Sequence, residues 1–99
     1  MNKIWEALDY LGPNGEKWMK GLLKDGDRAC LLGALVACGV EQESTTPEYL
    51  AIGKAIQEQF PDRYPGEPHL PYFNDDDKTT FDDVRVVMQK GAVALDEMV

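Results

Sequence analysis

Basic charge is scarce in this 99-residue sequence: ten Lys and Arg stand against eighteen Asp and Glu, a formal net charge of -8 at pH 7. Direct nucleic-acid binding is disfavoured, because phosphate contacts need a basic patch. Binding to anionic membranes is disfavoured for the same reason. Long hydrophobic runs are missing too. The longest, ACLLGALVACGV, has 12 residues, which suits a buried core helix and falls short of the ~18 needed to span a bilayer. The opening MNKIWEALDYLG alternates charged and apolar residues, unlike the unbroken apolar stretch of a signal peptide. No glycine-rich phosphate loop, serine elbow or zinc-binding helix motif appears, so no cofactor is expected. Histidine occurs once, as His69, and cysteine twice, as Cys30 and Cys38. Two thiols eight residues apart on one helix lie about 12 Å apart along its axis, too far for a disulfide. Reduced thiols in apolar surroundings point to the cytoplasm.

The residues that are present describe one globular domain over 1–99. Hydrophobic residues make up 43% of the chain, an ordinary globular share that argues against wholesale disorder. The acidity is uneven. Residues 1–40 hold five acidic and five basic side chains, so the whole net charge lies in residues 41–99. A basic partner protein is the charge-complementary choice, against the simpler use of net charge for solubility.

Apolar spacing predicts a mainly α domain: about four helices around a central apolar helix, with a long irregular loop before the last. The first helix is Lys3–Leu11, with Ile4, Trp5, Leu8 and Leu11 on one face, stopped by Gly12-Pro13-Asn14-Gly15. Lys17–Leu23 reads as a short helix or an extended piece, with helix preferred, and Lys24-Asp25-Gly26-Asp27 as a turn. Any strand is expected within Trp18–Leu23 or Leu70–Phe73. The central helix is Ala29–Cys38, apolar nearly all round. Gly33 inside it costs up to ~1 kcal/mol of helix propensity, and its expected use is close approach of a neighbouring backbone. Thr46 and Pro47 open a helix that turns Tyr49, Ile52, Ile56 and Phe60 inward and stops at Pro61. Pro61–Thr79 reads as irregular, with four of the six prolines, a run of Asp, and Tyr64, Tyr72 and Phe73 for packing. Thr80 caps the last helix, Asp82 and Asp83 favour its first turn, and Val84, Val87, Met88, Gly91, Leu95 and Met98 recur at helical spacing.

Three blocks carry a resemblance: Cys30-Leu31-Leu32-Gly33-Ala34-Leu35, Phe73-Asn74-Asp75 and Thr80-Phe81-Asp82-Asp83-Val84. Over about Trp18–Leu95 they resemble a family of small uncharacterised actinobacterial and phage proteins. Its pattern is a Cys-x-x-Gly-Ala helix, an aromatic-Asn-Asp motif and a Thr-x-x-Asp-Val helix start. Trp18 and Gly21 resemble its tryptophan-containing segment, while Phe73 stands where tryptophan is usual. The resemblance implies a bacterial or phage origin and no particular activity.

Three kinds of chemistry compete for these residues. A cysteine hydrolase or transferase would use Cys30 as nucleophile near a helix N-terminus, His69 as base and Asn74 or Asp75 to orient the imidazole. The apolar flanks of Cys30 favour an inert thiol instead. A metal site would draw on Asp75, Asp76, Asp77, Asp82 and Asp83. An EF-hand register from Asp75 puts Thr80 where Gly is needed and Val86 where Glu is needed, so no metal is expected. A protein-binding surface would use Tyr72, Phe73, Asp75, Asp76 and Asp77 as an aromatic centre with an acidic rim. A DNA-mimic inhibitor is a sharper form of that idea. The preferred expectation is a small, acidic, cytoplasmic interaction protein that binds a host or cellular protein, with inhibition as one outcome of that binding.

Overall fold

The computed structural model describes residues 2–64 and 69–98. Helix α1 runs over Lys3–Leu11, where Asn2 caps it by accepting the Ile4 N–H and Gly12 ends it at φ +91°. A two-residue antiparallel hairpin follows, β1 (Lys24–Asp25) with β2 (Arg28–Ala29), Lys24 opposite Ala29 and Asp25 opposite Arg28. Helix α2 is Leu31–Ala37, α3 is Pro47–Gln59, α4 is Leu70–Asp75 and α5 is Phe81–Glu97. The domain is mainly helical, as expected, with one minor sheet.

The core is shared among helices rather than centred on one. Helix α5 packs on both α3 and α1, while α2 packs on α1 and α4. Gly91 makes the α3–α5 approach possible, because a Cβ there would lie 3.1 Å from the Ile52 backbone nitrogen. Two side chains of the first helical turn pin its start to the end of α5. The Asn2 amide donates to the Ala92 carbonyl at 2.9 Å, and Trp5 Nε1 donates to Asp96 at 2.8 Å. Thr80 and Asp83 form a reciprocal capping box at the start of α5. Met98 does not pack inward: it is 78% exposed, because the end of α5 overruns the core.

Three sequence expectations are corrected, each by tertiary hydrogen bonding or packing. Lys17–Leu23 is not a helix. Its backbone is satisfied by β2: the Ala29 N–H donates to the Lys17 carbonyl at 2.7 Å and the Met19 N–H to the Ala29 carbonyl at 3.0 Å. Gly21 at φ +92° adds a conformation no helix uses. The strands lie just beyond, at Lys24–Asp25 and Arg28–Ala29, joined by Gly26-Asp27. The central helix is therefore shorter than Ala29–Cys38: Ala29 belongs to the hairpin, and Cys30 and Cys38 are the caps of α2. Finally, Pro61–Thr79 contains α4, so Leu70–Phe73 is helical rather than extended. Pro71 fits its first turn, and Leu70, Phe73 and Asn74 are buried along its inner side. Pro65 and Pro68 lie outside the described residues.

Candidate functional site

Helix α4 brings most of the candidate residues together, and it separates them by side. Asn74 on the inner side is wholly buried and fully bonded. Its Oδ1 accepts from Trp18 Nε1 at 2.6 Å and from the Leu31 N–H at 3.0 Å. Its amide donates to the Met19 carbonyl at 3.0 Å and to Asp75 Oδ1 at 3.1 Å. One side chain thus holds the first turn of α2, the segment after α1, and α4. Trp18 also packs on Phe81, with ring centroids 5.9 Å apart. Gly33 receives the chain on the other side: a Cβ there would collide with the Leu23 carbonyl oxygen, which accepts the Cys30 N–H at 3.1 Å. The close approach expected of Gly33 is present. Trp18, Gly21, Cys30, Gly33, Asn74 and Asp75 meet at this one seam, and Phe81 joins it through Trp18.

The aspartate run divides. Asp75 is exposed, and its Oδ1 accepts the Gly21 N–H at 2.8 Å. Asp76 accepts from the Lys78 N–H at 2.9 Å, the Tyr64 hydroxyl at 2.9 Å and the Arg63 guanidinium at 3.1 Å. These donors, the Lys78 backbone first, hold its carboxyl at about 2, below the usual 3.8. The same guanidinium donates to Thr79 at 2.7 Å and faces Phe60, Tyr64 and Phe73. Burial disfavours the charge on Arg63, but the hydrogen bond to Asp76 and the attraction of Tyr64 and Asp76 together outweigh it, so its pKa is raised. Asp76 is therefore a structural anchor. Among the described residues Asp77 makes no side-chain hydrogen bond and is exposed.

The proposed nucleophile is a cap. Cys30 Sγ accepts the Gly33 N–H at 3.3 Å. Burial raises its pKa, partly offset by that N–H, which keeps the thiol protonated. Cys38 is only partly buried, because α2 surfaces at its end, and burial raises its pKa too. His69 is joined to neither Cys30 nor Asn74 by a hydrogen bond among the described residues. Its Nδ1 lies 3.3 Å from the Tyr49 hydroxyl, which already accepts the Leu70 N–H at 3.1 Å. The imidazole is thus engaged by Tyr49 of α3 rather than by the thiol. Among the described residues no three His, Cys, Asp or Glu side chains gather to hold a metal ion. Among the same residues no helix is long and apolar enough to cross a membrane.

Phe73, expected as a contact residue, is wholly buried against Phe60 and Tyr64 and has no surface to offer. Its spacing from Leu70 on a helix hidden in a proline-rich stretch explains the misplacement. Tyr72 is the opposite: it is 72% exposed, edge-on to His69 at 5.5 Å and 89°. Next to this pair is a shallow slot of about 300 Å³ lined by Leu32, Gln42, Ser44, Tyr49, His69, Pro71 and Tyr72. Sequence reasoning missed Leu22, which is 57% exposed, and Leu23 beside it. Their apolar pair reads as core only while Lys17–Leu23 is taken as a helix.

The chain belongs to the family of unknown function DUF6197, whose model matches residues 4–94. No curated protein and no solved structure matches it.

Proposed function

We propose that this member of the family is a non-enzymatic interaction protein of bacterial or phage origin, acting in the cytoplasm by binding a basic protein partner through the outer side of α4. Tyr72 carries the reading. A short helix pinned on one side by Leu70, Phe73 and Asn74 holds a large aromatic ring in solvent on the other. Rigid, exposed aromatic side chains with a polar rim supply much of the energy of protein interfaces. Asp75 and Asp77 provide the rim, and Leu22 and Leu23 extend the apolar surface past Gly21, which Asp75 holds. The net charge of -8 favours a basic partner and faster association with it. The origin rests on the resemblance to actinobacterial and phage proteins.

The hydrolase reading loses support from the same geometry, since the Cys30 thiol caps a helix and His69 pairs with Tyr49 rather than with that thiol. The test is capture from a bacterial lysate by the wild type and by a Tyr72→Ala, Asp77→Asn double variant of unchanged melting temperature. A basic protein retained by the wild type, released as salt rises and absent from the variant supports the proposal. A partner held equally by both moves the interface elsewhere. Rapid thiol labelling of native Cys30 together with turnover of a small molecule overturns the non-enzymatic reading.

A further inference from the structure

We propose that the slot beside α4 recognises an extended, proline-rich segment flanked by basic residues, the segment adopting a polyproline II conformation. This rests on the interaction reading above and specifies the chemistry of the partner. The first observation is the shape of the slot. His69 and Tyr72 meet at 89° with centroids 5.5 Å apart, and Leu32, Tyr49 and Pro71 complete the apolar lining. Two perpendicular rings beside Leu32 and Pro71 offer an apolar corner suited to a pyrrolidine ring, and aromatic-lined grooves are the general receptors for such segments. The slot is about 300 Å³, at the small end of ligand sites, which suits one or two side chains of a longer ligand better than a whole metabolite.

The second observation is the polarity of the lining. Tyr49 uses its hydroxyl internally, accepting from the Leu70 N–H and pairing with His69 Nδ1. Gln42 and Ser44 add an amide and a hydroxyl to the lining. Among the described residues no Asp, Glu, Lys or Arg side chain lines the slot. A ligand matched to it carries apolar rings and bare carbonyl acceptors and needs few acceptors in return. A polyproline II chain fits, because its carbonyls are unpaired and its prolines lack N–H donors. Its ordering cost on binding is also low.

The third observation fixes the flanks. Asp75 lies three residues after Tyr72 on the exposed side of α4, about 4.5 Å further along the axis. Its Oδ1 is occupied by Gly21 and Asn74, and among the described residues its Oδ2 has no hydrogen bond. Asp77 follows beyond the helix end. A polyproline II chain advances about 3.1 Å per residue. An Arg or Lys two or three positions beyond the seated proline therefore reaches these carboxylates.

The test is a titration of the isotope-labelled full chain, followed by amide chemical shifts, with a synthetic peptide of six prolines bearing an arginine at each end. The control peptide replaces the prolines with alternating glycine and serine. Saturable shifts at Leu32, Gln42, Ser44, His69 and Tyr72 with the proline peptide alone support the inference. Tyr72→Ala and His69→Ala, both at exposed positions, are then expected to weaken binding about tenfold each, in the range of an interface anchor. Removing the terminal arginines is expected to weaken it less and to abolish its salt dependence. Equal shifts from both peptides, centred on Asp75 and Asp77, overturn the inference and leave charge-led partner binding standing. No binding of either peptide, while the lysate partner is still lost in the Tyr72 and Asp77 double variant, likewise overturns it and leaves the face assigned to a folded partner. Loss of both results removes the interaction reading as well.

Discussion

The two sides of α4 use neighbouring residues for opposite purposes. Inward, Phe73 is wholly buried and Asn74 makes four hydrogen bonds to Trp18, Met19, Leu31 and Asp75. Outward, Tyr72 stands largely in solvent, edge-on to the His69 ring, and among the described residues Asp75 keeps one oxygen unpaired. The most conspicuous sequence block, Phe73-Asn74-Asp75, therefore belongs chiefly to the architecture. The less conspicuous Tyr72 is what remains for a partner. A buried amide that joins three segments explains why an aromatic-Asn-Asp triplet can be demanded without any chemistry at all.

The sharpest way to break this comparison is Asn74→Ala. It leaves the buried Leu31 N–H, the Trp18 indole N–H and the Met19 carbonyl without their partner. Each unsatisfied buried group costs about 1–3 kcal/mol, with Trp18 at the low end because it is only half-buried. The expected loss is about 4 kcal/mol in urea unfolding, a large share of a small domain's stability. A loss below about 1 kcal/mol would show that the seam does not depend on this side chain. Gly33→Ala comes next. It gains helix propensity of up to ~1 kcal/mol but drives a methyl group into the Leu23 carbonyl. Overpacking costs of about 1–3 kcal/mol win, because the obstacle is backbone, and the melting temperature should fall by several degrees.

Much of the helical frame was legible in the sequence, and the failures share a cause. Asn2, Thr46 and Thr80 act through local hydrogen bonds, and caps of that kind are readable from a few residues; Thr46 and Thr80 were so read. Lys17–Leu23 misleads because Ala29, which bonds Lys17 and Met19, lies twelve and ten residues beyond them. Helix α4 was hidden because Pro71 reads as a breaker unless the buried Leu70, Phe73 and Asn74 are known to need one helical face. The candidate surface was half legible. Tyr72 and Asp77 are accessible, whereas Phe73 belongs to the core and Asp76 to Arg63, a residue that nothing in its local pattern singles out.

A smaller effect tests the hinge between the two sides. Asp76 titrates at about 2 in the folded chain against 3.8 ordinarily. A carboxylate with a depressed folded pKa adds stability that is fully present above its unfolded pKa and is lost as pH falls toward the folded one. The contribution of Asp76 should therefore be constant above about pH 5 and should disappear between about pH 4 and pH 2. Thermal melts of the wild type and Asp76→Asn are expected to differ at neutral pH and to converge across that window. A gap that persists at pH 2 would mean that the side chain stabilises by packing rather than as an anion.

The smallest expected effect on stability is the most informative for function. Tyr72→Ala removes a ring that is 72% exposed and donates or accepts no hydrogen bond among the described residues. Its aromatic partner among the described residues is the exposed His69 ring. Truncations at such surface positions usually stay within about 0.5 kcal/mol. The variant should then melt with the wild type, keep the Asn74 seam and lose the partner. An aromatic anchor at the centre of an interface commonly costs more than about 1 kcal/mol of binding, which is tenfold at about 1.4 kcal/mol. Stability and binding are thus expected to separate in this variant and to fall together in Asn74→Ala, where the whole of α4 is released. If Tyr72→Ala instead unfolds at markedly lower denaturant, the His69–Tyr72 corner is holding the fold. The outer side of α4 would then be architecture like the inner one, and the partner must be sought on another face of the molecule.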